Sequence, residues 1–217
     1  IVVTALLLPL ALKWHHPMLV LSWNAAVIVF FLPGDPYLWM FMGVLSLGFT
    51  VLNRFLDPNL RFNSEPSVTW TLLLLALVVL VTAKLTGGVG MRSFGGAVHG
   101  GKKYFYIWFA IIGYFALSSR TIAPKAAHWL AGGYFASAAT TVMSTLAYVM
   151  GPAGWILYTI FPTDYAMLLV TRDFSADPSA AGISRYAGFG VAGLGIVPLF
   201  LIRYGMKGLL DWARPWR

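Results

Sequence analysis

Hydrophobic positions along this chain do not alternate with polar ones. They run in continuous blocks, at 1–12, 18–32, 37–53, 68–83, 104–118, 128–149 and 186–203. Most of these blocks approach the roughly 20 apolar residues that carry a helix across a hydrocarbon core. Backbone groups inside lipid must satisfy one another, so continuous blocks predict helices, whereas a transmembrane barrel needs alternation. The pattern predicts an all-α polytopic transmembrane bundle of about seven spans, six to eight depending on one segment. It forms a single domain over 1–217.

The breaks between blocks carry turn chemistry. Lys13 to Pro17 reads as a short connection, Gly34-Asp35-Pro36 as a tight one, and Asp57 to Pro66 as a polar loop with two prolines. Short links predict antiparallel neighbours. The stretch from Gly151 to Ser184 decides the span count, because apolar Trp155 to Phe161 is interrupted by Pro162-Thr163-Asp164 before Tyr165 to Val170 resumes. An aspartate in mid-bilayer costs several kcal/mol, and Trp155, Tyr158 and Tyr165 suit the headgroup boundary. The expectation is therefore an interfacial or re-entrant segment and not an eighth crossing. In the sixth block Gly132, Ala136, Thr140 and Ser144 recur every four residues, which predicts a strip where a partner helix approaches closely.

Composition sharpens this picture. Charged residues make up 10% and hydrophobic residues 59% of the chain, against about a quarter charged in a soluble domain, so the lipid bilayer is the expected partner. Cysteine is absent, which removes disulfides, thiolate metal ligation and a thiol nucleophile. The formal charge is +8, but the basic residues sit in the breaks, where phosphates of lipids or substrates meet them; nucleic acid is not an expected partner. Assigned to alternate sides, Lys and Arg divide nine to six. By the positive-inside tendency that puts the link at 84–103 outside. The chain opens on Ile1 inside an apolar block without a basic leader, and is read as a fragment of a longer protein.

The richest chemistry lies in Lys84 to Lys103, KLTGGVGMRSFGGAVHGGKK. Glycines let a backbone fold tightly with its N–H groups outward, and beside Arg and Lys such groups suit a phosphate. Arg92 offers a bidentate fork to diphosphate oxygens, Lys102 and Lys103 less directional charge. His99 titrates near neutrality and is the candidate general base. The bland alternative is a flexible connector whose lysines anchor helix ends in headgroups. Gly188, Gly190 and Gly193 spell the dinucleotide fingerprint, but no strand precedes them and the match opens an apolar block, so helix packing accounts for it better. His15, His16 and His128 are of the residue type that ligates haem or a pigment, but no block carries two histidines on one face, and no cofactor is expected. The seven acidic residues all fall in breaks, which gives neither a carboxylate metal site nor a proton path.

The basic Gly-rich run TGGVGMRSFGGAVHGGKKYFY, and SRYAG at 184–188 entering a small-residue block, resemble the first half of bacterial O-antigen ligase and polymerase-like membrane proteins. The resemblance covers 18–205. SRYAG is similar to the Arg-x-x-Gly element of that family, while the Asn-Pro-Asn-like segment that often follows it is absent, as is the half that carries the catalytic histidine. What the resemblance implies is a multi-pass protein of the bacterial cytoplasmic membrane that transfers a glycan from polyprenyl diphosphate without metal or nucleotide sugar. Arg92 and Arg185, with Lys102 and Lys103, would bind the diphosphate. His99 is a reserve candidate for the base, the principal one being expected beyond Arg217. Two other classes stay open: a transporter or flippase of a lipid-linked or anionic molecule, and a non-catalytic subunit of a membrane complex.

Overall fold

The computed structural model describes residues 13–56, 65–85, 101–163 and 187–209; these are helical apart from turns, connecting stretches and isolated bridge positions at Ile28 and Tyr37. The helices are α1 (13–22), α2 (Leu38–Leu56), α3 (Pro66–Leu85), α4 (Gly101–Ser118), α5 (Pro124–Ser137), α6 (Thr141–Val149) and α7 (Ala187–Leu209). Three stretches are long and apolar enough to cross a membrane, Leu38–Leu56, Pro66–Leu85 and Gly188–Met206. Tyr104–Ser118 is apolar but shorter. Chain punctuation explains the starts: Gly34 and Asp35 both take positive φ, at 86° and 46°, in the turn before α2. Pro66 and Pro124 open α3 and α5, where the missing N–H costs nothing.

Two expectations need correction. Lys13 to Pro17 is not a connection but part of α1, and 18–32 is not a span, because helix ends at residue 22 and the chain runs irregularly to α2. Hydropathy there is high, yet the backbone is satisfied elsewhere: Ala26 N–H donates to Thr140 Oγ1 at 2.8 Å and Ile28 N–H to the Ile160 carbonyl at 2.8 Å. Tertiary partners replaced the helical bonds. The block at 1–12 lies outside the described residues.

The chain divides into two compact units, one drawn from Ile1–Val20 and Phe31–Ala123, the other from Leu21–Phe30 and Pro124–Arg217. In the first, α4 packs against both α2 and α3. A side chain at Gly43 would lie 3.6 Å from the Cα of Gly113, so the backbones of α2 and α4 approach closely at this pair. The buried residues of α2 are Met40, Gly43, Ser46 and Thr50, a single stripe at helical spacing. Its exposed residues include Val44, Val51, Leu52, Phe55 and Leu56. Small and polar side chains therefore face in and large apolar ones face out, the reverse of a helix on a water-soluble core. α3 repeats the pattern, burying Ala76, Val79 and Ala83 while Trp70 and Leu74 stand 73% and 64% exposed.

In the second unit α7 packs on α5, on α6 and on the 3₁₀ turn Ala138–Thr140 between them. The predicted span 128–149 is thus one rod with a tightened middle. Its cause is local: Ser137, Thr140 and Thr141 each donate a hydroxyl to the carbonyl three residues back, at 2.7, 2.7 and 2.8 Å, which favours the narrower helix. After α6 a positive φ of 62° at Gly151 starts a nine-residue 3₁₀ helix, Gly151–Thr159, that packs against α6. At about 2 Å per residue it spans on the order of 18 Å, short of the roughly 30 Å of a bilayer core.

Candidate functional site

Polar groups inside the first unit converge where α1, α2 and the end of α4 meet. His15 and His16 on α1 are 1% and 4% exposed. Consecutive helical residues point about 100° apart, so the two imidazoles serve different neighbours. His15 Nδ1 lies 2.8 Å from Ser46 Oγ, the polar member of the α2 stripe. One turn on, Thr50 donates its hydroxyl to the Ser46 carbonyl at 2.8 Å, and its oxygen is 3.2 Å from Ser119 Oγ. The His15 ring tilts against Phe49, with centroids 5.7 Å apart.

His16 has a structural explanation. The last carbonyls of a helix lack internal donors, and here side chains supply them: Ser118 to Phe115 at 3.3 Å, Ser119 to Ala116 at 2.6 Å and His16 Nε2 to Leu117 at 3.0 Å. A carbonyl only accepts, so His16 carries its proton on Nε2. His15 differs. Its Nε2 is buried with no hydrogen-bond partner among the described residues. A polar atom left unpaired in the interior is costly. No group of three or more metal-ligating side chains occurs among the described residues.

The sites expected from the sequence fall elsewhere. Arg92, His99 and Arg185 lie outside the described residues. Lys102 and Lys103 belong to the first turn of α4, and Lys84 to the last turn of α3, so the described ends of the Gly-rich link are basic helix termini. His128 is exposed on α5.

The small-residue strip meets the tightened helix. A side chain at Gly132 would touch Leu199 at 3.9 Å, Thr140 holds the Ala26 amide and Ser144 donates to the Pro162 carbonyl, but Ala136 is exposed. Fully buried positions there are Ala138, Thr141, Ser144, Thr145 and Ala147. In the dinucleotide-like run Gly188 does pack, against Thr141 and Thr145, while nothing among the described residues approaches Gly190 or Gly193.

Ser46, Thr50 and Ser119 were not singled out from the sequence. The available signal was Ser46 and Thr50 one turn apart inside an apolar block. No family model, curated protein or solved structure matches this chain.

Proposed function

We propose that the chain is part of a multi-pass glycosyltransferase of the bacterial cytoplasmic membrane, of the ligase or polymerase type, acting on a polyprenyl-diphosphate-linked glycan. The observation that carries this reading is the placement of Lys84 in the last turn of α3 and of Lys102 and Lys103 in the first turn of α4. Two lysines at a helix N-terminus oppose the helix dipole, and an anion there offsets both. In the proposed reaction a base takes the proton of an acceptor hydroxyl, whose oxygen attacks the anomeric carbon. The carbon–oxygen bond to the diphosphate breaks, and the leaving group's charge is held by Arg92 and Arg185 with the two lysines. His99 is the candidate base within this chain.

The test is glycan transfer in liposomes by the full-length protein supplied with polyprenyl-diphosphate oligosaccharide. Arg92→Ala and Arg185→Ala each abolish transfer while the protein stays folded; full activity in both removes the site. A second reading, a transporter, is favoured by the buried His15 and His16, since ionisable groups inside helical bundles mark polar pathways. Flux of the lipid-linked glycan across sealed liposomes without transfer supports that reading against the first.

A further inference from the structure

The exception in the first unit is the imidazole of His15, and its hydrogen bonding can be worked out atom by atom. Ser46 Oγ has one hydrogen-bond partner among the described residues, His15 Nδ1. The hydroxyl therefore donates to Nδ1, because the reverse arrangement would leave the buried serine proton without an acceptor. A neutral imidazole that accepts at Nδ1 carries its hydrogen at Nε2. That N–H is then a donor, enclosed by the protein on a residue 1% exposed, with nothing to receive it among the described residues.

Two kinds of occupant can be compared. A metal cation needs a lone pair on Nε2, which this tautomer does not offer. An oxygen acceptor suits the N–H. We propose that His15 Nε2–H holds a single buried water, at the ring nitrogen opposite the one bound to Ser46. An acceptor that reaches an atom so enclosed has to be small, and a buried polar atom favours a water over an empty space. His16 takes no part, its Nε2–H being committed to the Leu117 carbonyl. The inference is independent of the glycosyltransferase reading, since it uses no residue of the Gly-rich link.

The experiment is solid-state NMR of the full chain in liposomes, with nitrogen-15 introduced at its four histidines and His15 assigned by the signal lost in His15→Asn. The expected result is a neutral His15 protonated at Nε2, with magnetisation passing from water to that proton. Ser46→Ala, a milder change that keeps the imidazole, releases the tautomer, so a second signal protonated at Nδ1 appears and the water transfer falls several-fold. A wild-type His15 protonated at Nδ1, or one at Nε2 without water transfer, overturns the proposal. Liposomes of neutral lipid alone and liposomes containing anionic lipid give the same His15 signal if water is the occupant. A shift confined to the anionic liposomes assigns the site to a lipid phosphate and overturns it too.

Discussion

The two units hold their helices together with the same two devices in different proportion. In the first, interior contacts run through side chains that reach across: His15 to Ser46, His16 to the end of α4, Thr50 to Ser119. In the second, the helices close until backbones nearly touch. A β-carbon at Gly154 would meet the backbone of Ala147, one at Gly188 the Thr141 carbonyl, and one at Gly195 the Phe135 carbonyl and the Ala138 side chain. Thr141 shares its one hydroxyl hydrogen between the Ala138 carbonyl, at 2.8 Å, and the Gly188 carbonyl, at 2.7 Å. Where large apolar residues point outward, attraction between helices comes from close packing and interior hydrogen bonds. The first unit leans more on the hydrogen bonds and the second on the close packing, so the first is the more sensitive to atoms removed and the second to atoms added.

Unfolding of the detergent-solubilised protein tests that contrast. The largest effect is expected for Gly154→Ala or Gly188→Ala, about 3 kcal/mol of lost stability, because the new methyl group meets backbone that cannot yield. Gly193→Ala, with open space around it, sharpens the point by leaving stability unchanged or raising it by up to about 1 kcal/mol through helix propensity. If all three behave alike, close packing does not hold the second unit. Next comes Ser46→Ala in the first unit, where stranding a buried imidazole costs about 2 kcal/mol. Thr141→Val follows at about 1 kcal/mol for its hydrogen bonds, whereas Thr145→Val, whose hydroxyl has no partner among the described residues, falls within about 0.5 kcal/mol of zero or stabilises. The smallest change is Leu74→Ala on the exposed side of α3, below about 0.5 kcal/mol in the same assay. A large loss there points to a helix or lipid seated on α3.

Much of this was legible in the residues, and the main failures share a cause. Continuous apolar blocks announce α2, α3, α4 and α7 because the physics is local: such a stretch in lipid satisfies its backbone only by coiling. Residues 23–32 are as greasy but do not coil, and Thr140 and Ile160 take the amides of Ala26 and Ile28 from more than a hundred positions away, which no window of hydropathy contains. Of the four-residue strip, Ala136 is exposed although it shares the regular helix α5 with Gly132, ahead of the turn that Ser137, Thr140 and Thr141 tighten. As for the site, Arg92, His99 and Arg185 were chosen for chemistry that a motif displays. The sequence offers His15 only as a cofactor-ligand candidate, because a buried imidazole announces itself through its neighbours, Ser46 and Phe49, which lie on another helix.

The 3₁₀ helix at Gly151–Thr159 turns once every three residues, so its side chains stand in three straight columns along a triangular prism. The column of Gly151, Gly154 and Leu157 is the inner edge, with Gly154 buried, while Ala153, Ile156 and Thr159 form a fully outward edge. Inserting one residue before Gly154 rotates everything after it by a third of a turn and brings a bulkier column against Ala147. The segment therefore tolerates changes of composition on two of its edges far better than any change of length.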